Sequence, residues 1–140
     1  MKPKTRAKSP TARALADLRK DGRIAAIVER WNQWAKVRQD LFGFADILYL
    51  TEGSIVALQV TSATNHAARR TKILVEPNAL AWLKAGGLIE LWSFAKQGPR
   101  GKVKKWVCRK EEIVEADFTK RPVRPEVTAQ VQRVKPARSS

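Results

Sequence analysis

The 140-residue chain is poor in the residue types from which many functional sites are built. It holds one cysteine, Cys108, and one histidine, His66, which excludes an intramolecular disulfide and a zinc site of Cys and His ligands. Cys108 lies in a run of alternating apolar residues, which favours a small core side chain over a nucleophile. The sequence also lacks a glycine-rich phosphate loop and a local Ser/His/Asp motif. We therefore expect His66 to be an exposed residue at the start of a helix.

Long apolar segments are also missing. No apolar run approaches the ~20 residues of a transmembrane helix, and the basic N-terminus is not followed by the apolar segment of a signal peptide. We therefore expect a cytoplasmic protein without a membrane-spanning segment, in a bacterial cell or a phage-infected host.

Acidic residues are scarce relative to basic ones. The chain has 28 Lys and Arg against 13 Asp and Glu, a net charge of +15. Residues 1–10 and 119–140 hold +9 of this charge and few large apolar side chains, which predicts two flexible basic arms around one domain over residues 11–118. This excess favours nucleic acid as a partner, with an anionic membrane surface as the second choice. The alternative is that the arms only confer solubility.

An apolar content of 44% and five tryptophans predict a packed core. The expected elements are a helix over 12–20, a strand over 23–31, a loop over 32–43, a hairpin of strands 45–50 and 54–60, two helices between 62 and 85 separated at Pro77, and strands over 88–95 and 103–109. Ser62 or Thr64 is the expected N-cap of the first helix of this pair. This order predicts an α/β fold with a mixed central β-sheet flanked by helices.

The tryptophans divide into two groups. Trp82, Trp92 and Trp106 lie in the predicted apolar elements and are expected in the core. Trp31 and Trp34 lie in a polar stretch that also holds basic residues, where stacking on nucleic-acid bases is an option.

Two polar groups mark the ends of the predicted hairpin strands. The stretch Asp40-Leu-Phe-Gly-Phe-Ala-Asp46 leads into the first strand, and Gln59-Val-Thr61 ends the second. This arrangement resembles the PD-(D/E)XK nuclease superfamily. The resemblance implies a restriction-endonuclease-like core of helix-strand-strand-strand-helix-strand. It also implies an Asp and a Glu that bind Mg²⁺ (or Mn²⁺) and a Lys that positions or activates the attacking water. Asp46 stands at the Asp position, Gln59 at the Glu position and Thr61 at the Lys position.

A closer likeness is to small phage-type members of that superfamily with the pattern DLFGFAD…QVTS…ARR.KI. The pattern occurs here at residues 40–46, 59–62 and 68–73. These proteins are related in arrangement to archaeal-type Holliday junction resolvases. The likeness implies a Mg²⁺-dependent endonuclease, a hydrolase acting on DNA, and a homodimer as in those resolvases.

The substitutions change the chemistry that this site can perform. Gln59 can offer a metal an oxygen without charge, and Thr61 cannot replace an ammonium group. Asp40 or Glu29 is a candidate for the missing carboxylate. The missing cation could come from the following helix, as in other members of the superfamily, and its candidates here are Arg69, Arg70 and Lys72. The residues expected to bind phosphate are these three and Arg38.

Each candidate residue also has a purely structural interpretation. Asp46 could cap loop amides, and Gln59 and Thr61 could be the polar end of a buried strand. Asp40 could pair with Arg38. Glu29 could be a surface residue of an edge strand without a function.

The sequence supports two functions, and it does not separate DNA from RNA as the partner. The first is a metal-dependent DNA endonuclease, for which Asp46 and Gln59 should lie at one edge of the sheet within reach of one metal. The second is a nucleic-acid-binding module on the same fold that has lost catalysis. A third option, an RNA- or ribosome-associated protein, leaves Asp46 without a role.

Overall fold

The computed structural model describes residues 8–120, so most of the two predicted arms lies outside the described residues. The helices are α1 (Pro10–Lys20), α2 (His66–Val75), α3 (Pro77–Lys84) and α4 (Glu115–Lys120). The strands are β1 (Ala25–Ile27), β2 (Arg30–Asn32), β3 (Val37–Gln39), β4 (Ile47–Thr51), β5 (Ser54–Ser62), β6 (Leu88–Gln97) and β7 (Lys105–Ile113). None of the helices in residues 8–120 has the length and apolar content needed to cross a bilayer.

The central sheet has five strands in the order β1-β4-β5-β6-β7. Strands β5 and β6 are parallel, and the other neighbours are antiparallel. The parallel pair requires a long crossover, which α2 and α3 provide. The prediction of an α/β fold with a mixed sheet and flanking helices is therefore confirmed. Strands β2 and β3 form a separate two-stranded hairpin.

Strand β5 separates two hydrophobic clusters because its side chains alternate between the faces of the sheet. Val56, Leu58 and Val60 belong to the cluster that includes residues of α1. Ala57 belongs to the cluster that includes residues of α2, α3 and α4. By the same alternation Gln59 lies on the face that α2 covers, whereas its apolar neighbours in sequence, Leu58 and Val60, lie on the opposite face.

The β4–β5 hairpin was predicted correctly, whereas the segment before it was not. The single strand expected over 23–31 is interrupted, because the amides of Val28 and Glu29 both donate to the carbonyl oxygen of Asp46 (2.9 and 3.4 Å) and end the ladder. The loop expected over 32–43 contains β3, which pairs with β2. The final helix, α4, was not predicted.

The start of α2 also differs from the prediction. A 3₁₀ turn over Ala63–Asn65 precedes the helix, and Asn65 occupies the N-cap position without a side-chain hydrogen bond to the helix. Neither Ser62 nor Thr64 therefore caps α2; their hydroxyls lie 3.1 Å from each other.

Two of the three predicted core tryptophans are in the core. Trp92 is buried, and the half-buried Trp82 packs against the core and donates from Nε1 to the carbonyl oxygen of Leu88 at 2.8 Å. The prediction for Trp106 was wrong: it lies 43% exposed on the edge strand β7. The guanidinium of Arg13 covers its ring at 3.8 Å from the centroid.

The loop between β3 and β4 closes tightly on itself. Leu41 and Ala45 form an isolated bridge with backbone hydrogen bonds of 2.8 and 3.0 Å. Gly43 adopts a φ of +85°, and a Cβ atom there would lie 2.1 Å from Oε1 of Glu76. A glycine is therefore needed for both the backbone conformation and the approach of the loop to α3.

Replacing Gly43 by alanine should lower the free energy of unfolding by about 1–3 kcal/mol, the usual cost of a non-glycine residue in a sparsely populated backbone region, plus the displacement of Glu76. Gly53→Ala is the matched control, since Gly53 has a φ of +89° and no atom of residues 8–120 would lie within 4 Å of its added Cβ. Urea denaturation of both variants measures the difference. Equal losses of unfolding free energy in the two variants would show that the close approach to Glu76 does not affect stability.

Candidate functional site

An open cavity of about 610 Å³ lies where the base of the β2–β3 hairpin, the end of β5, α2 and the start of α1 meet. Its charged lining residues are three acids and three cations. The complete lining is Ser9, Pro10, Thr11, Glu29, Arg38, Asp40, Asp46, Gln59, Val60, Thr61, Ser62, Asn65, Arg69 and Lys72. All but one of the sequence-predicted site residues therefore line one cavity; the exception is Arg70.

The three acids of this cavity, Glu29, Asp40 and Asp46, are called here the carboxylate cluster. One oxygen of each carboxylate lies within 4.8 Å of the others. The β2–β3 hairpin brings the first two together, because Glu29 directly precedes β2, Asp40 directly follows β3, and these strands are paired. The closed loop before β4 then returns Asp46 to Asp40.

Asp46 and Gln59 lie side by side, as expected from the pairing of β4 with β5. Oδ2 of Asp46 accepts from Nε2 of Gln59 and from the amide of Val60, both at 2.8 Å. Asp46 is 4% exposed and Gln59 is 2% exposed. Oε1 of Gln59 is buried and has no hydrogen-bond partner among residues 8–120. A buried amide oxygen without a partner is costly, so this atom is an available ligand.

The environment of Asp46 disfavours its charged form. Burial, reinforced by the nearby carboxylates of Asp40 and Glu29, raises the pKa of Asp46 to about 8, although the amide of Val60 opposes the shift. Without a bound metal ion, Asp46 therefore holds a proton at neutral pH. A cation within the cluster would favour the ionised form.

This shift has a measurable effect on stability. Between pH 3.8, the ordinary pKa of an aspartate, and about pH 8, the folded state holds a proton on Asp46 that the unfolded state has released. In EDTA, the free energy of unfolding should therefore fall as pH rises from 4 to 8, by at most about 1.4 kcal/mol per pH unit. Asp46→Asn removes this titration, so denaturation of both proteins across that range isolates it. Parallel pH profiles would contradict the raised pKa.

Two cations of the cavity pair with the carboxylate cluster. Nη1 of Arg38 lies 3.0 Å from Oε1 of Glu29, and Nζ of Lys72 lies 3.0 Å from Oδ2 of Asp40. The expected alternative, a pair between Asp40 and Arg38, is therefore wrong. Glu29 is also not a surface residue of an edge strand, since it lies between β1 and β2 with a side chain only 12% exposed.

The third cation, Arg69, has a different status. It lines the cavity from α2. Within the described part of the chain it makes no hydrogen bond or ion pair, and it is partly exposed. Its guanidinium is therefore free to bind an anion in the cavity.

Arg70 is held away from the cavity by two acids. Its guanidinium donates to Glu111 at 2.7 Å and to Asp117 at 3.0 Å, which joins α2 to β7 and α4. Burial raises the pKa of Glu111, but hydrogen bonds from Arg70 and His66 outweigh it and hold that pKa below its usual value. These contacts give Arg70 a structural role, and its predicted contact with phosphate stays untested.

His66 is buried, so the expectation of an exposed residue was wrong. Its Nδ1 lies 2.7 Å from Oγ of Ser93, and its Nε2 lies 2.8 Å from Oε1 of Glu111. This hydrogen-bonded Ser–His–Glu arrangement is not a hydrolytic triad, because Ser93 is 1% exposed within β6 and no substrate can reach it. The sequence signal was Ser93 itself, a polar residue inside the apolar run Leu91–Phe94.

The first turn of α1 is a part of the cavity that sequence reasoning missed. Ser9, Pro10 and Thr11 line it, and the hydroxyl of Ser9 accepts from the amide of Ala12 at 3.1 Å. The first turn holds no acid, so the positive end of the helix dipole is not neutralised locally. The signal was the Ser-Pro start, which is typical of a capped helix.

Cys108 takes no part in this site. It lies half-buried on β7 and packs against the hydrophobic cluster that includes residues of α1. Burial raises the pKa of its thiol to about 11, so the thiol stays protonated at neutral pH.

Comparisons of the chain with protein-family models, with curated proteins and with solved structures find no match.

Proposed function

We propose that the chain is a metal-dependent DNA endonuclease with a site of the PD-(D/E)XK type. The observation that carries the proposal is the carboxylate cluster, which is formed by three separate parts of the chain. The other charged residues that line the same cavity are all cations: Arg38, Arg69 and Lys72. Acids that can hold a divalent cation, surrounded by groups that can hold phosphate, match the needs of phosphodiester hydrolysis.

The available ligand atoms suit Mg²⁺ or Mn²⁺. Both ions prefer oxygen ligands, and the cluster offers three carboxylates beside the unpartnered Oε1 of Gln59. Burial, reinforced by the carboxylates of Asp40 and Glu29, raises the pKa of Asp46, and a divalent cation at the cluster would favour its ionised form. A bound cation would supply positive charge at the scissile phosphate and lower the pKa of a coordinated water.

The residues around the cluster then have distinct roles. Lys72 compensates for the motif lysine that Thr61 replaces, since its ammonium group reaches Asp40 from the adjacent helix. Arg69, free of other partners in the described residues, binds a phosphate oxygen together with Arg38. In the reaction, water attacks phosphorus and the P–O bond to the leaving nucleotide breaks, which yields a phosphate monoester and a hydroxyl group.

The order of the elements also supports the proposal. Helix α1, strands β1, β4 and β5, the α2–α3 crossover and strand β6 follow one another in that order. This is the helix-strand-strand-strand-helix-strand order that the resemblance implies, with the β2–β3 hairpin as an insertion and β7 as an addition. Asp46 precedes its second strand, and Gln59 lies in its third.

Replacing Lys72 by alanine should reduce the cleavage rate by about 10²-fold or more, the usual effect of removing one preorganised group that stabilises transition-state charge. Lys84→Ala is the matched control, because Lys84 is an exposed lysine of α3 that does not line the cavity. Single-turnover cleavage in Mn²⁺ measures both variants. An unchanged rate for Lys72→Ala would remove this residue from the site.

A second candidate function is a binding module without catalysis. The ion pairs Arg38–Glu29 and Lys72–Asp40 and a protonated Asp46 together satisfy the cluster without a metal. The neutral Gln59 and Thr61 at the motif positions favour the same function. In that case the cavity would bind a phosphate through its cations.

Cleavage of linear, nicked and branched DNA in Mg²⁺, in Mn²⁺ and in EDTA separates the two functions. The nuclease proposal predicts metal-dependent products from at least one substrate. DNA binding that weakens with salt, with no product in either metal, would support the binding module and overturn the nuclease proposal.

A further inference from the structure

The β2–β3 hairpin is a projecting element whose base is part of the carboxylate cluster. Among residues 8–120, its strands pair only with each other and do not join the central sheet. The residue before it is Glu29 and the residue after it is Asp40. A ligand that runs along the hairpin from its turn to its base would therefore reach the proposed metal ligands.

The hairpin exposes two tryptophans. Trp34 is 91% exposed at the turn, and Trp31 is 58% exposed on β2. Within residues 8–120, neither indole contacts another ring or a cation. Exposed tryptophans are enriched at interfaces, so the hairpin is a candidate binding element.

The turn is built to hold Trp34 in place. Oδ1 of Asn32 accepts from the amides of Trp34 and Ala35, both at 3.0 Å. Lys36 follows with a φ of +57°, which turns the chain back into β3. The backbone that carries Trp34 is therefore fixed by a side-chain hydrogen-bond pair.

The charge of the hairpin suits an anionic partner. Residues 30–39 contain three cations, Arg30, Lys36 and Arg38, and no acid. Trp31 lies directly opposite Arg38 in the register, so their side chains share one face of the hairpin. Since Arg38 lines the cavity, this face continues the cavity wall.

We propose that this hairpin binds unpaired nucleotides of DNA by stacking Trp34 on a base, and so directs the site toward single-stranded or branched DNA. The inference rests on the proposed function and adds a substrate class to it. Exposed aromatic rings between cations are the usual means of binding single-stranded nucleic acid, because every base has a face for stacking and every linkage carries a charge. In an intact duplex the bases are already stacked on each other and offer no free face to Trp34.

The test measures affinity in EDTA, where no cleavage occurs. Fluorescence anisotropy compares a single-stranded oligonucleotide with a hairpin-free duplex of the same length. Trp34→Ala should weaken single-strand binding by about 5- to 150-fold, the range for loss of one base–aromatic stack, and change duplex binding far less. Trp34→Phe keeps a stacking ring and should retain most of the affinity. Quenching of a 2-aminopurine base by the wild type, absent in Trp34→Ala, would report stacking itself.

Three results would overturn the inference: equal losses on single strand and duplex, no loss for Trp34→Ala, or Trp34-dependent binding to phosphatidylserine vesicles that exceeds binding to the oligonucleotide. Circular dichroism of each variant shows whether it has folded. Failure here is distinct from failure of the proposed function, because metal-dependent cleavage by the wild type is measured in a separate assay. Conversely, stacking measured in EDTA would stand if no cleavage were found.

Discussion

Replacing Asp46 by asparagine should reduce metal-dependent DNA cleavage by about 10³-fold or more. The substitution removes the central charge of the carboxylate cluster, and a bound metal contributes several kcal/mol of transition-state stabilisation, at about 1.4 kcal/mol per tenfold in rate. The fold should survive, because an asparagine oxygen can still accept from Nε2 of Gln59 and from the amide of Val60. Affinity for DNA in EDTA should stay within about threefold of the wild type, since Asp46 contacts no cation of the cavity.

The matched control is Asp17→Asn, which removes an exposed carboxylate of α1 that does not line the cavity. Initial rates on the best substrate, in Mn²⁺, compare both variants with the wild type. Cleavage by Asp46→Asn at the wild-type rate would show that hydrolysis does not depend on the carboxylate cluster.

Replacing Gln59 by glutamate should have the second large effect, on stability. In EDTA it places a carboxylate against Asp46 in a buried position, and an uncompensated buried charge costs about 3–5 kcal/mol. The melting temperature should therefore fall. Because the new carboxylate is also a stronger metal ligand, Mg²⁺ should restore more of the melting temperature in Gln59→Glu than it adds to the wild type.

We expect the same substitution to increase cleavage activity when Thr61 is also changed. Thr61 lines the cavity, so a lysine introduced there could extend toward the cluster. The double variant Gln59→Glu, Thr61→Lys should therefore cleave DNA faster than the wild type. If Gln59→Glu melts lower and Mg²⁺ restores nothing, the edge of the sheet at Asp46 is not a metal site.

Much of the sheet could be predicted because its signals are local. The apolar runs of β4 and β5 are separated by Thr51-Glu52-Gly53, and this turn alone defines the hairpin. The hairpin then makes Asp46 and Gln59 neighbours, so their contact followed from sequence. Pro77 divided the crossover helices correctly for the same reason, since its ring is compatible only with a helix start.

The remaining features depend on contacts between distant residues. No periodicity marks β2 and β3, which expose most of their side chains, and their pairing rests on backbone bonds and the turn at Asn32. The burial of His66 depends on Ser93 and Glu111, residues on two later strands. The ion pair between Lys72 and Asp40 joins residues 32 positions apart, and only the folded crossover brings them together.

The most direct test of the proposed site is Mn²⁺ binding measured by isothermal titration calorimetry at neutral pH, without DNA. The wild type should bind Mn²⁺ at one site per chain, with release of protons because Asp46 must ionise. Asp46→Asn should bind at least about tenfold more weakly, as expected for loss of a charged ligand. Absence of binding by the wild type, or equal binding by Asp46→Asn, would contradict the assignment of the carboxylate cluster as a metal site.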